Sequence, residues 1–128
     1  MANESFRIPY PESKSEQKRW AKEYGLNAYY AGKHWSIRKR DAEYWHWLTR
    51  VAMDEQNVRR VPFKRPVTVT ILWNDRLDID NHAAMGKMIV DAMKGRVIED
   101  DKRRWLQGVS YFFHDQDYIS VSIKEVSR

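Results

Sequence analysis

Two acidic clusters flank one amphipathic stretch: Asp78-Ile-Asp80-Asn81 before it and Glu99-Asp100-Asp101 after it. The chain carries 23 Lys and Arg against 18 Asp and Glu, so acids are the minority sign, yet here they bunch. Bunched carboxylates offer hard oxygen ligands to a divalent cation, and such a cation activates water and neutralises phosphate. Asp78 and Asp80 are two residues apart, which on an extended chain directs both side chains to one face. Alone, an Asp-x-Asp is more often a cap or a solvated pair. Asp100-Asp101 alone could answer the adjacent Lys102-Arg103-Arg104. Both clusters together, in strand-then-helix order, point to a metal site.

The neighbouring elements must position these groups. Val67-Thr-Val-Thr-Ile-Leu-Trp73 is β-branched and apolar, so it reads as a strand. The acidic pair falls just past its end, where Asp80 or Asn81 can cap a following helix. Met85, Met88, Ile89 and Ala92 recur at helical spacing and predict an apolar stripe on a helix over 81–94. At about 100° per residue, Lys87 and Asp91 fall on Asp80's side, away from that stripe. Gly95 ends the helix. A short turn over 96–98 then brings 99–101 back toward the first pair.

These residues carry a resemblance. Asp78-x-Asp80-Asn81, Lys87-x-x-x-Asp91, Gly95 and then Asp100-Asp101 resemble the motifs of the RusA family of Holliday junction resolvases. The likeness covers about residues 66–125, and loosely the front half through Asn27-Ala-Tyr-Tyr30. It implies a Mg²⁺-dependent crossover junction endodeoxyribonuclease, with Mn²⁺ able to substitute, acting in DNA recombination and repair. The catalytic residues it implies are Asp78, Asp80, Asp101 and a supporting Lys87. The metal ligands would be Asp78, Asp80 and Asp101 or Asp100, a one-residue slip exchanging the last two. Asn81 and Lys87 stand three residues further apart than in the family pattern, almost one helical turn, which leaves Lys87 near the same face. The partners implied are a four-way DNA junction and a second copy of the chain, since a two-fold dimer matches a junction with two equivalent strands to cut.

The remaining chain supplies candidates for holding DNA. Residues 26–35 are rich in aromatics and cations, including Tyr29, Tyr30, Lys33 and Trp35, and read as a loop that stacks on bases, braces phosphates or folds onto the core. The longest helix is expected from Ser36 to about Gln56, with Ile37, Tyr44, Leu48, Val51 and Ala52 as its apolar stripe. Arg38, Lys39 and Arg40 crowd its first turns, an arrangement that favours a nearby phosphate. Trp45 and Trp47 cannot both face one core. The connector 57–66, bounded by proline, adds Arg59, Arg60, Lys64 and Arg65, and Arg76 directly precedes the acidic pair. A solvated linker is the bland alternative for these cations.

Residues 1–12 read as a short edge strand ended by proline, or a structured arm, and Ser13 to Tyr24 as a helix capped by Ser13 or Ser15 and stopped at Gly25. Residues 105–113 and 118–123 read as two strands joined by a hairpin turn at 114–117.

Composition bounds the rest. At 128 residues the chain suits one domain, a single RusA-like nuclease unit over 1–128. It has no cysteine, which excludes disulfides and thiolate zinc sites and suits a reducing, cytoplasmic setting. No apolar run spans a membrane and no secretory signal opens the chain, so no membrane partner is expected. The formal net charge of +5 favours a polyanion. The expected fold is α+β: a small mixed sheet of three to four strands, with 67–73 paired to the C-terminal hairpin and two main helices packed on it. Three other functions fit parts of the pattern: a junction-binding module without turnover, a nuclease for other branched DNA, and a glycosyltransferase holding a metal–nucleotide sugar on Asp-x-Asp. No Gly-rich phosphate loop supports the last.

Overall fold

The run Val67–Trp73 alternates buried and half-buried along its whole length, and the sheet is built around it. The computed structural model of the chain describes residues 3–126, with all side chains but those of Tyr29 and Tyr30. The chain runs β1 (Asn3–Pro9), α1 (Lys14–Tyr24), α2 (Leu26–Tyr30), α3 (Trp35–Glu55), β2 (Val67–Trp73), a 3₁₀ turn (Ile79–His82), α4 (Ala83–Met93), β3 (Leu106–Phe113) and β4 (Tyr118–Glu125). The four strands form one sheet in the order β1-β4-β2-β3. β2 is parallel to β3 and antiparallel to β4. The fold is therefore α+β with a mixed sheet and helices packed on it, as the sequence predicts.

The hairpin expected over 105–123 does not form. β3 and β4 are not neighbours, because β2 lies between them. The loop 114–117 crosses the end of β2, where the His114 amide donates to the Trp73 carbonyl at 3.0 Å and Asn74 Nδ2 donates to the Gln116 carbonyl at 2.9 Å. The reason lies in β2 itself. Val67, Val69, Ile71 and Trp73 are all essentially inaccessible, and a strand this buried needs ladder partners on both edges. Parallel β2 and β3 in turn need a crossover between them, and α4 supplies it.

Local signals are borne out at the front of the chain. β1 is an edge strand that stops at Pro9, and Ser13 Oγ accepts from the Glu16 amide at 3.1 Å to cap α1. Residues 26–30 form the short helix α2 rather than loop. α3 begins one residue early, with His34 Nδ1 accepting from the Ser36 amide.

The buried line of α3 differs from the expected stripe. It runs Asp41, Trp45, Thr49, Ala52 and Met53. Tyr44 and Leu48 pack at its flank. Trp45 is wholly buried against Trp20, Tyr24 and Tyr44, and Trp47 is 58% exposed. Two polar residues on the buried line explain the shift. Asp41 is ion-paired with Lys33, and Thr49 Oγ1 donates to the Trp45 carbonyl at 2.7 Å. Satisfied in this way, polar side chains occupy core positions without a large penalty.

Candidate functional site

α4 governs where the two acidic clusters lie. Its stripe of Met85, Met88, Ile89 and Ala92 is buried as predicted. It runs antiparallel to β3: His82 lies against Phe113 with ring centroids 5.8 Å apart, and Gly86 lies against Tyr111. The far end, Val90 and Asp91, shares a cavity of about 250 Å³ with Leu106 and Val109 at the start of β3. At 11 residues α4 is about 16 Å long. Asp78 and Asp80 precede its N-terminus, and Asp101 lies alongside it, lining that cavity together with Gly86, Lys87, Val90 and Asp91.

Among the described residues, no group of three or more His, Asp or Glu side chains is placed to hold a metal ion. Instead Asp101 sits beside the end of α4. Lys94 Nζ lies 2.9 Å from Asp101 Oδ2 and 3.1 Å from Asp91 Oδ1. Lys87 Nζ lies 3.5 Å from Asp91 and 4.0 Å from Asp101. The hydrogen bond from Lys94 holds the Asp101 carboxyl below the usual carboxylate range, and Asp101 in turn raises Lys94. Asp100 Oδ1 accepts from the Asp101 amide at 2.8 Å and turns the loop. Gly95, at φ 80°, allows the sharp exit from α4.

Asp80 lies ahead of α4, in the 3₁₀ turn Ile79–His82. Both Asp78 and Asp80 are exposed. Among the described residues, neither carboxylate has a hydrogen-bond or ion-pair partner, and Asp78 makes no side-chain cap. Asn81 plays a structural part, since its Oδ1 accepts from the Asn27 amide at 2.9 Å and ties the turn to α2. His46 of α3 completes the far end. Burial lowers its pKa, helped by Arg50, while Asp91 opposes the shift.

Mg²⁺ keeps several waters and is commonly held by one or two carboxylates plus substrate phosphates. Asp78 and Asp80 fit such a site as two uncommitted oxygen donors. Asp101 is committed to Lys94, at 2.9 Å, rather than open in the same way.

The expected DNA-holding cations divide into two sets. Lys33 is turned inward: its ammonium pairs with buried Asp41, donates to the Glu23 carbonyl at 2.8 Å and lies over the Tyr24 ring. Arg59 is held by the Val61 carbonyl at 2.7 Å and stacks 3.8 Å over Phe63. Arg60 pairs with Asp54 at 3.0 Å, although its side chain stays 73% exposed. Arg38, Lys39, Arg40, Lys64, Arg65 and Arg76 all face solvent. Trp35, at the start of α3, is 70% exposed beside His34 and this basic turn. The Tyr29 and Tyr30 side chains lie outside the described residues.

Sequence reasoning passes over Gly86. A Cβ built there would lie 1.9 Å from Tyr111 Oη and 2.6 Å from Cζ. Overpacking of this kind costs about 1–3 kcal/mol, more than the roughly 1 kcal/mol that Ala gains over Gly in a helix. Gly86→Ala is expected to lower the denaturant midpoint, and a companion Tyr111→Leu change is expected to recover most of the loss. An unchanged midpoint in the single variant would mean that Tyr111 swings aside freely. Tyr10, Asp75 and His82 also escape notice, since nothing in a polar residue's letter shows that it is buried. No protein-family model and no curated protein matches this chain.

Proposed function

We propose that the chain is a divalent-metal-dependent endonuclease of the RusA kind that cuts branched DNA, four-way junctions above all, in recombination and repair. The observation that carries this reading is the pair Asp78 and Asp80: two exposed carboxylates, without a partner among the described residues, on a well-anchored loop in a chain of net charge +5. Carboxylates kept free of the surrounding cations suit a metal ion that arrives with solvent and substrate.

When bound there, Mg²⁺ would supply an activated water and neutralise charge at the phosphate, with Mn²⁺ as a substitute. The protein's own residues do the rest. Asp78 and Asp80 provide the oxygens. Arg76, two residues before Asp78, and the exposed Arg38, Lys39, Arg40, Lys64 and Arg65 place positive charge for the DNA backbone. Lys87 keeps an exposed ammonium for a phosphate, and Asp101 and Asp91 orient it. Asp101 thus serves as a partner of lysines, which competes with a role as a metal ligand. The two equivalent strands of a junction favour a two-fold dimer, one site per strand, and the absence of cysteine supports a cytoplasmic setting.

One observation favours a second reading. Asp101 is neutralised by Lys94 rather than left open, as a junction-binding module without turnover would allow. No helix of the described residues is long and apolar enough to cross a membrane, which suits either.

A substrate panel separates these. Four-way junction, replication fork, flap and linear duplex are each incubated with Mg²⁺ and with EDTA. The proposal predicts metal-dependent nicking of branched substrates and sparing of the duplex. Tight junction binding with no product in Mg²⁺ or Mn²⁺ would establish the binding module instead.

A further inference from the structure

Beneath the exposed acidic pair lies a buried polar network. Asp75 has a side chain only 7% exposed, and His82 is wholly buried. Asp75 Oδ1 is 2.8 Å from His82 Nε2 and accepts from the Leu77 amide at 3.0 Å. Asp75 Oδ2 accepts from Tyr10 Oη at 2.8 Å. Tyr10 Oη also accepts from the Asn74 amide at 2.8 Å. On its other side, His82 Nδ1 is 3.1 Å from the Ile79 carbonyl. Each ring nitrogen thus faces an oxygen, the carboxylate on one side and the carbonyl on the other. The imidazole is packed between Trp73, with centroids 4.4 Å apart, and the edge contact with Phe113.

The segment 74–82 is thus tied at its start, middle and end to one carboxylate and its two partners. Asp78 and Asp80 project from between the ties. A loop that needs only to turn is made with Gly, Pro or Asn on the surface. Burying a carboxylate and an imidazole is costly unless every group is matched, and a fully matched network fixes one geometry.

We infer that Asp75 is the positioning residue of the acidic loop, acting through His82 and Tyr10 to hold Asp78 and Asp80 in place before a metal ion arrives. The inference rests on Asp78 and Asp80 being the metal-binding pair. Groups that orient metal ligands without touching the ion commonly change affinity or activity by about 10–100-fold when removed.

The test uses full-length Asp75→Asn and Tyr10→Phe, the second removing only a hydroxyl and serving if the first folds poorly. Amide relaxation is read over 76–80, Mn²⁺ affinity by paramagnetic broadening of the amides of 78–81, and junction cleavage as kcat and KM. In either variant, order parameters over 76–80 are expected to fall from about 0.85 to below about 0.6 while α3 is unchanged. Half-saturation by Mn²⁺ is expected to rise at least about tenfold, with kcat falling and KM for the junction unaltered. Wild-type loop order and Mn²⁺ affinity in both variants, whatever their melting temperature, would overturn the inference. If the wild type broadens none of these amides with Mn²⁺, the metal reading fails, and the relaxation result alone decides whether Asp75 positions the loop.

Discussion

Asp80→Asn is expected to reduce metal-dependent cleavage of a four-way junction by more than about 100-fold, the upper end for removing a residue that merely orients a ligand. Junction binding in the absence of metal is expected to change little or to tighten slightly. The sign follows from the site. Asp80 is exposed and its carboxylate has no partner among the described residues, so the amide keeps shape and stability and removes one anionic oxygen donor. It also removes a negative charge facing a polyanion, which favours backbone contact. The measurement pairs single-turnover cleavage with a gel-shift titration in EDTA. Loss of binding and cleavage together would place Asp80 in the fold or in DNA recognition, not at a metal.

The second large effect is on stability. Trp45→Ala is expected to cost about 3–5 kcal/mol, the range for emptying a large aromatic site in a core. Trp45 is inaccessible and meets Trp20, Tyr24 and Tyr44 within ring-centroid distances of 5.3–6.1 Å. Trp47→Ala, two residues away and 58% exposed, is expected to stay within about 0.5 kcal/mol, as surface changes usually do. Denaturant unfolding of both variants checks the pair. Equal losses would mean that Trp47 is covered in solution, for instance by a second copy of the chain.

That contrast also shows what can be read from the letters. The stripe of α4 is legible because Met85, Met88, Ile89 and Ala92 are all apolar and all buried. The line of α3 is not, because Asp41 and Thr49 occupy core positions under cover of an ion pair and a hydrogen bond. A count of apolar residues then selects Tyr44 and Leu48, one step around the helix. Strand existence is legible from the β-branched, apolar run Val67–Trp73 and from period-two alternation over 118–123. Strand partners are not. The turn at 114–117 suggests local pairing, whereas β2 inserts between β3 and β4 for the sake of its own two edges.

The candidate site divides in the same way. Asp78 and Asp80 stand out by type and spacing, and their exposure agrees with a role outside the core. The position of Asp101 depends on the path of the chain after Gly95, which lays its carboxylate beside Lys87 and Lys94. The spacing of Lys87 and Asp91 survives, at 3.5 Å, because it lies within one regular helix. Asp80 lies outside that helix, in the 3₁₀ turn before it. The support from Tyr10, Asp75 and His82 is formed by residues 65 and 7 positions apart, and no local pattern announces it.

The most direct measurement is cleavage of an end-labelled synthetic four-way junction by the wild-type protein, in Mg²⁺ and in EDTA, with both candidate strands mapped. A metal-dependent resolvase is expected to leave nicks at paired, symmetric positions that appear only with metal, beside an intact linear duplex. A junction that is bound and left whole in Mg²⁺ and in Mn²⁺ would contradict that reading.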